Sequence, residues 1–267
     1  MRGQAERLLN VKMFVLDMDG TIYLGDRLFP YTKGFLRAVE ESGREYCFFT
    51  NNSSKNRAAY LEKLRKMGII VPPEKMLVSN QVILRWLGGN RPGKRAYVVG
   101  TEPLMEDFRL AGIELDDRAP DYVVLGFDTG LTYDKISKAC HFIRNGAEVF
   151  GVNPDLNCPV EGGFIPDCGS IAALVRASTG VQCEFFGKPS RHTLDYILEQ
   201  SGYGPQEVAV VGDRLYTDIA VAAGTDVTSI LVMSGETTEE MLANSDIKPD
   251  IIAENVGEVG EYLREKR

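Results

Sequence analysis

Short apolar runs that alternate with amphipathic segments constrain the fold of this chain more than any other sequence feature. Several of the runs are rich in Val, Phe and Ile without strict alternation, which is typical of strands covered by helices on both faces. This order of elements predicts an α/β protein built on a parallel sheet. The predicted strands are Met13–Leu16, Tyr46–Thr50, Arg95–Val99, Tyr122–Phe127, Glu148–Val152, Val208–Val211 and Thr228–Met233. The predicted helices include Asn56–Met67, Glu102–Ala111, Tyr133–Arg144, Ser170–Ala177 and Arg191–Gln200.

Polar residues follow three of these strands. Asp17 comes directly after the first strand, with Asp19 two residues further on, while Thr50 ends the second strand and Asp213 follows the sixth. Ligands of parallel α/β sheets bind outside the carboxyl ends of the strands, so these side chains converge if the three strands are neighbours. Lys188 lies just before a predicted helix, where backbone N–H groups favour anions. Together these groups predict a site for Mg²⁺ and a phosphoryl group, because Mg²⁺ takes carboxylate and carbonyl oxygens and bridges to phosphate.

Each of these residues also has a purely structural interpretation. The two carboxylates after the first strand could be solvated turn residues, since Asp and Gly are common in turns. Thr50 could simply end a strand, and Lys188 could be a solvated lysine in a turn. Asp213 could be a turn residue and Asp218 the N-cap of a helix. The capping role of Asp218 and a role near a metal both stay open from the sequence.

The composition limits the kinds of partner and the cellular compartment that we expect for this chain. The 267-residue chain has a net charge of −8 and a pI near 5.0, which argues against nucleic acid or an anionic membrane as its main partner. Its first ten residues lack the apolar core of a signal peptide, and its five cysteines lack metal-ligand spacing. We therefore expect a cytoplasmic protein with reduced thiols. The histidines, His141 and His192, have no partner pattern for a nucleophile or metal, so we expect them to be surface residues or to pack in the core.

Four motifs in a fixed order give the sequence a family resemblance. They are "DMDGT" after a strand, "FFTNNS", "GKP" before a helix and "VGDRLYTD". In this order they resemble the haloacid dehalogenase-like superfamily over nearly the whole chain. The spellings "TNNS", "GKPS" and "GDRLYTD" are most similar to subfamily IIA, the NagD-like phosphatases, often labelled nitrophenyl phosphatases. The resemblance implies a Rossmann-like parallel-sheet core and a Mg²⁺-dependent phosphomonoester hydrolase that acts on small organic phosphates.

The resemblance implies different tasks for the two neighbouring carboxylates. Asp17 would be the nucleophile that attacks phosphorus and forms an aspartyl-phosphate. Asp19 would protonate the leaving oxygen and then, as a base, activate the water that hydrolyses the intermediate. Ion-pumping relatives carry threonine at the position of Asp19, and dehalogenases lack this aspartate. Its presence here favours a phosphatase over a phosphomutase.

Binding roles follow from the same resemblance. The substrate phosphoryl group would be bound by Thr50, Asn51 and Asn52, and its charge would be neutralised by Lys188. The Mg²⁺ ligands would be Asp17, the backbone carbonyl of Asp19, and Asp213, with Asp218 behind them. The implied partner is a small-molecule phosphate ester.

The spacing of the motifs predicts an inserted domain. Between Asp19 and Thr50 there is room for one turn and one helix, whereas the stretch from Thr50 to Lys188 is far longer than one or two β-α units. We predict a catalytic core of residues 1–80 and 187–267 and an inserted α/β domain of residues 81–186. This placement matches the type 2 cap of the family.

The predicted cap contains a segment that is suited to binding the leaving group of the substrate. After a strand ending near Asn153, some fifteen residues rich in Pro, Gly and Asp precede a helix beginning near Ser170. We interpret this segment as a loop, and loops after strands are where binding residues concentrate. Related phosphatases place a specificity residue here, sometimes a histidine, and Cys158 occupies that place in this chain. Cys158, with its neighbour Asn157, is therefore a candidate substrate-binding residue, and a small buried thiol is the structural alternative.

Two other classes of protein share some of these features. Receiver domains also combine strand-end carboxylates, a threonine, a lysine and Mg²⁺, so a phosphoacceptor signalling domain is an alternative. Receivers are about half this length and need no aspartate two positions after the acceptor. A non-catalytic phosphate-binding relative is a further alternative. Dimerisation through the cap is a family tendency, so a homodimer is an expectation from the resemblance alone.

Overall fold

The apolar run Met13–Leu16 forms a buried strand near the middle of a mainly parallel sheet. In the computed structural model, which describes residues 1–160 and 162–266, this strand is β2. The strands are β1 (Arg2–Gly3), β2 (Met13–Leu16), β3 (Tyr23–Leu24), β4 (Arg27–Leu28), β5 (Glu45–Thr50), β6 (Met76–Val78), β7 (Ala96–Val99), β8 (Tyr122–Leu125), β9 (Glu148–Gly151), β10 (Asn157–Val160), β11 (Gly163–Pro166), β12 (Glu184–Phe185), β13 (Val208–Gly212), β14 (Thr228–Val232) and β15 (Ile251–Ala253).

The amphipathic segments between the strands form helices. The α-helices are α1 (Thr32–Glu41), α2 (Arg57–Lys66), α3 (Ser79–Asn90), α4 (Glu102–Leu110), α5 (Tyr133–Arg144), α6 (Cys168–Thr179), α7 (Arg191–Ser201), α8 (Glu239–Asn244) and α9 (Val256–Glu265). A π-helical turn covers Leu215–Ile219. Among the described helices, none is both long and apolar enough to cross a bilayer.

The chain divides into two units, each with its own sheet. The first unit comprises Met1–Thr50, Leu61–Leu77 and the chain from Thr193 onward, and the second comprises Asn51–Tyr60 and Val78–His192. These bounds describe the two units of the structure. The predicted boundaries of a catalytic core (1–80 and 187–267) and a cap (81–186) remain a prediction.

The sheet of the first unit has the strand order β1-β15-β14-β13-β2-β5-β6. Strands β15, β14, β13, β2 and β5 pair in parallel, while β1 pairs antiparallel with β15. Apart from the exposed edge strand β1, its strands are largely buried, and Phe14 of β2 meets Phe35 of α1 edge to face at 6.1 Å between ring centroids. The α/β class and the parallel central sheet predicted from the sequence are confirmed.

The second unit has a parallel sheet of order β12-β9-β8-β7 and a separate antiparallel ribbon, β10-β11. Helices α5 and α6 pack on the sheet around a core that includes Val99, Val123, Leu125 and Ile171. Tyr97 and Phe142 contribute an edge-to-face ring pair at 5.1 Å.

The ribbon corrects one prediction. We expected an irregular loop between Asn153 and the next helix, yet residues 157–160 pair with residues 163–166, and Cys158 stands opposite Ile165. Pro159 fits because each strand of a two-stranded ribbon has one unpaired edge, which tolerates a missing N–H group. The prolines and glycines hid these strands, since the segment lacks alternation of apolar and polar residues.

Candidate active site

Three carboxylates meet at the carboxyl end of the first unit's sheet. Strand β2 lies between β13 and β5, so the expected neighbourhood of the three strands is observed. The backbone N–H of Asp17 donates to the carbonyl of Val211 at 2.8 Å, which fixes the end of β2 against β13. Carboxylate oxygens of Asp17, Asp213 and Asp218 all lie within 4.8 Å of one another. The sheet therefore brings together residues 201 positions apart in the sequence, from Asp17 to Asp218.

Backbone and side-chain donors hold the Asp213 carboxylate in place. The backbone N–H of Glu236 donates to Oδ2 of Asp213 at 2.7 Å, and the hydroxyl of Thr21 lies 3.4 Å from Oδ1. The carbonyl of Asp213 accepts a hydrogen bond from the Thr237 hydroxyl at 2.6 Å. Asp213 is 2% exposed, so the bonds to Oδ1 and Oδ2 replace water that the carboxylate has lost.

Two glycines make room for this buried carboxylate. Gly20 has φ of +89°, and a Cβ at that position would overlap the carboxylate of Asp213. A Cβ at Gly235 would overlap the same carboxylate from another segment. The glycine in "DMDGT" is therefore required by close approach as well as by the turn.

Asp218 does not cap a helix from the N-cap position. It lies inside the π-helical turn Leu215–Ile219, where its backbone N–H donates to the carbonyl of Arg214 at 3.0 Å. Its Oδ2 accepts from the backbone N–H of Arg214 at 3.1 Å, and a Cβ at Gly212 would overlap its carboxylate. The N-cap alternative is thus wrong, and the carboxylate instead points toward Asp17 and Asp213.

The electrostatics of this cluster favour a bound cation. Burial, followed by the negative charge of Asp218, raises the pKa of Asp213 well above its ordinary value. Burial lowers the pKa of Arg214, but the carboxylates of Asp213 and Asp17 outweigh this effect and raise it overall. Converging carboxylate oxygens are hard ligands, and a divalent ion among them would relieve their repulsion. The residues present therefore fit a divalent metal.

Asp19 has a different environment from Asp17. Among the described residues, the carboxylate group that could hold a metal comprises Asp17, Asp213 and Asp218, without the side chain of Asp19. Burial raises the pKa of the half-buried Asp19 carboxyl, while Lys63 and the backbone N–H of Gly25 act in the opposite direction. Lys63 itself lies over the ring of Tyr23 at 4.0 Å. A raised pKa favours the protonated form that a general acid needs.

The next predicted residues straddle the division between the units. Thr50 is the buried last residue of β5 in the first unit, and Asn51 is the first residue of the second. Within the second unit, the side chain of Asn51 is hydrogen bonded to the backbone of Lys188, three residues before α7 begins. The structure therefore links two motifs, "TNNS" and "GKP", that the sequence could only align.

Asn52 links the same loop to the ribbon. Its Nδ2 lies 3.5 Å from Sγ of Cys158, and its Oδ1 accepts from the backbone N–H and hydroxyl of Ser54 at 3.0 and 2.7 Å. The hydroxyl of Ser53 donates to Oδ1 of Asn153 at 2.9 Å. Cys158 is half-buried on β10, so the structure places it beside a predicted phosphate-binding residue.

Sequence reasoning missed the segment that encloses Asp213. Glu236 and Thr237 both bond to Asp213, and Gly235 lies against it. The signal was available, because this segment follows β14, which pairs with β13. Applying the strand-end rule to the seventh predicted strand would have found it.

The histidines lie outside the carboxylate cluster. His192 stacks on Phe186 with 4.5 Å between ring centroids, and its Nε2 lies 2.8 Å from a carboxylate oxygen of Glu184. His141 is exposed on α5, with its ring beside Asn145. His141 is thus a surface residue and His192 a packing residue, in agreement with the expectation.

Comparison with known proteins identifies the family of this arrangement. A family model described as haloacid dehalogenase-like hydrolase matches residues 14–114, and a second, described as HAD-hydrolase-like, matches residues 185–259. An acid sugar phosphatase from Staphylococcus saprophyticus is 33% identical over 94% of this chain and 97% of its own length. The chain therefore belongs to the haloacid dehalogenase-like hydrolases.

Solved structures support the narrower relationship. A 4-nitrophenylphosphatase from Thermotoga maritima matches with a TM-score of 0.93 and 40% identity, over 96% of this chain and 99% of that one. NagD from E. coli K-12 matches with a TM-score of 0.86 and 28% identity, over 93% and 98% of the two chains. The predicted resemblance to NagD-like and nitrophenyl phosphatases is confirmed.

Proposed function

We propose that this chain hydrolyses phosphate monoesters of small organic molecules with Mg²⁺ and an aspartyl-phosphate intermediate. The observation that carries the proposal is the convergence of Asp17, Asp213 and Asp218 at the end of neighbouring parallel strands, with Asp19 two residues from Asp17. The chain is a phosphatase of the haloacid dehalogenase-like family, in agreement with its similarity to proteins named acid sugar phosphatase and nitrophenylphosphatase. A cytoplasmic location and a homodimer remain predictions.

Mg²⁺ is the proposed metal because the donors are carboxylate oxygens without a thiolate or imidazole among them. Asp17, Asp213 and the backbone carbonyl of Asp19 would hold it, with Asp218 supporting the site. When bound, Mg²⁺ would supply positive charge to the phosphoryl oxygens and reduce the repulsion between the phosphate and Asp17.

The proposed chemistry divides one displacement into two. A carboxylate oxygen of Asp17 forms a bond to phosphorus as the bond to the leaving oxygen breaks, and the protonated Asp19 gives that oxygen its proton. Asp19, now ionised, takes a proton from water as the water oxygen attacks the aspartyl-phosphate. This step releases inorganic phosphate and restores Asp17. Thr50, Asn51 and Asn52 would bind the phosphoryl group, and Lys188 would offset its charge.

A panel of phosphate esters tests the proposed function. We expect the chain to release inorganic phosphate from nitrophenyl phosphate and from sugar phosphates in Mg²⁺. Chelation by EDTA should lower the rate at least about 100-fold, since metal stabilisation of the transition state is worth several kcal/mol, and added Mg²⁺ should restore it. Turnover that is insensitive to EDTA would contradict the metal assignment. Absence of phosphate release from the whole panel would contradict the function.

We propose that Cys158 contributes to recognition of the leaving group. A Cys158→His variant should change the relative kcat/KM values among the panel esters by about 1–3 kcal/mol, because an imidazole can hold polar groups that a thiol binds weakly. The Mg²⁺ requirement should stay the same. Cys183→Ser, which alters a half-buried thiol of the same unit, is the matched control and should preserve the ranking of substrates. If Cys158→His changes every substrate by one common factor, the variant has damaged the shared chemistry and the proposed role is wrong.

A further inference from the structure

Both ends of the Asn51 side-chain amide are hydrogen bonded to one residue, Lys188. Its Nδ2 donates to the carbonyl of Lys188 at 2.9 Å, and its Oδ1 accepts from the backbone N–H of Lys188 at 2.8 Å. The two residues are 137 positions apart in the sequence, and both are buried, with 7% of Asn51 and 2% of Lys188 exposed. The amide therefore pairs with the Lys188 backbone much as one strand residue pairs with its neighbour in a sheet.

This pairing fixes which amide end faces which group. A flipped amide would place NH₂ against N–H and oxygen against oxygen, so the hydrogen bonds define one orientation. Aspartate has the same shape but lacks the donor for the Lys188 carbonyl. The side chain of asparagine is thus the one that matches both backbone groups of Lys188.

The surroundings hold this amide in position. The backbone carbonyl of Asn51 accepts from the hydroxyl of Ser79 at 2.8 Å. A Cβ at Gly187 would lie only 2.8 Å from Oδ1 of Asn51, 2.8 Å from Cβ of Asn153 and 3.0 Å from the carbonyl of Val152. Any side chain at position 187 would therefore disturb the pair, which explains the glycine before Lys188.

We propose that Asn51 is a positioning residue for Lys188, and that its side chain acts on the phosphoryl group through the lysine rather than as a direct ligand. The inference rests on the proposed function for the role of Lys188, and it deepens that function by revising the role of Asn51. One N–H group and the oxygen of its amide are already hydrogen bonded to the Lys188 backbone. Fixing this backbone determines where the ammonium group can reach, and displacement of a catalytic group by about 1 Å can cost roughly 100-fold in rate.

A double-mutant cycle distinguishes positioning from direct binding. Asn51→Ala should lower kcat/KM for nitrophenyl phosphate by about 30- to 100-fold. In a Lys188→Met background, which keeps the buried stem but removes the charge, the same change should cost less than about 3-fold. Multiplicative losses from the two changes would overturn the proposal, because they would show that Asn51 acts independently of Lys188.

A variant of the same shape separates loss of the hydrogen bond from loss of side-chain volume. Asn51→Asp keeps the shape of the side chain and should lose about as much activity as Asn51→Ala, because it cannot donate to the Lys188 carbonyl. Full activity of Asn51→Asp would overturn the proposal.

Binding of inorganic phosphate in Mg²⁺, measured by calorimetry, gives a second cycle that needs no turnover. Asn51→Ala should weaken phosphate binding when residue 188 is lysine and leave it nearly unchanged when residue 188 is methionine. An inactive parent that still shows this pattern would contradict the proposed function but support the positioning role. A parent that neither turns over esters nor binds phosphate would overturn both.

Discussion

Replacing Asp17 with asparagine is expected to lower phosphate release by about 10⁴-fold or more, because loss of a covalent nucleophile removes the first step itself. Asparagine keeps the size of the side chain and can keep the backbone bond from residue 17 to the carbonyl of Val211. The fold should therefore survive, and circular dichroism and the thermal unfolding midpoint should show this. The measurement is the steady-state release of phosphate from nitrophenyl phosphate in Mg²⁺.

Asp246→Asn is the matched control for this variant. Asp246 is exposed in the same unit, and the substitution also removes one carboxylate. It should change the rate by less than about 2-fold, as surface substitutions usually do little. Turnover by Asp17→Asn close to that of the parent would refute Asp17 as the nucleophile.

Replacing Asp19 with asparagine is expected to affect the two chemical steps unequally. General acid-base groups contribute about 10²- to 10⁴-fold, so we expect roughly a 10³-fold loss with alkyl phosphates, whose leaving oxygen needs a proton. Nitrophenolate leaves without one, so the first step should be largely spared with nitrophenyl phosphate. Hydrolysis of the aspartyl-phosphate should still slow, because it needs the same carboxylate as a base.

Rapid mixing with nitrophenyl phosphate tests this division directly. The Asp19→Asn variant should show a burst of nitrophenolate close to one equivalent per chain, followed by slow turnover. Equal losses with alkyl and aryl esters and no burst would indicate that Asp19 serves only the geometry of the metal site. The parent should show no long-lived phosphoenzyme, whereas a labelled aspartyl-phosphate that persists for many minutes without phosphate release would favour the signalling alternative.

The carboxylate site was predictable because it follows from strand order alone. Once β2 and β13 are recognised as buried parallel strands, Asp17 and Asp213 must lie at the same edge of the sheet, beyond the carboxyl ends of these strands. The position of Asp218 was harder to predict, since a carboxylate six residues after the end of β13 is equally suited to a helix N-cap. Only the π-helical turn, which contains Asp218 rather than following it, decides between these readings.

Other features depended on contacts that no local pattern encodes. The pairing of Asn51 with Lys188 joins two loops far apart in the sequence, and nothing in either motif specifies the partner. The ribbon β10-β11 was not predicted because sequence-based prediction of strands depends on alternating apolar and polar residues. This short ribbon instead contains Pro159 and Pro166. Tertiary contacts supply what the local composition lacks.

The separate pairing of β10 and β11 has a consequence for how such a chain can diversify. Within the described residues, β10 and β11 are hydrogen bonded to each other, while β12, β9, β8 and β7 form a separate sheet. A substitution on the ribbon therefore breaks no hydrogen bond between the strands of that sheet, and the carboxylates of the proposed metal site belong to the other unit. If the ribbon recognises the leaving group as proposed, changes at its exposed positions, such as Phe164, would alter the choice of ester at low cost to folding. Descendants of one ancestor could then acquire new substrates while inheriting the same chemistry.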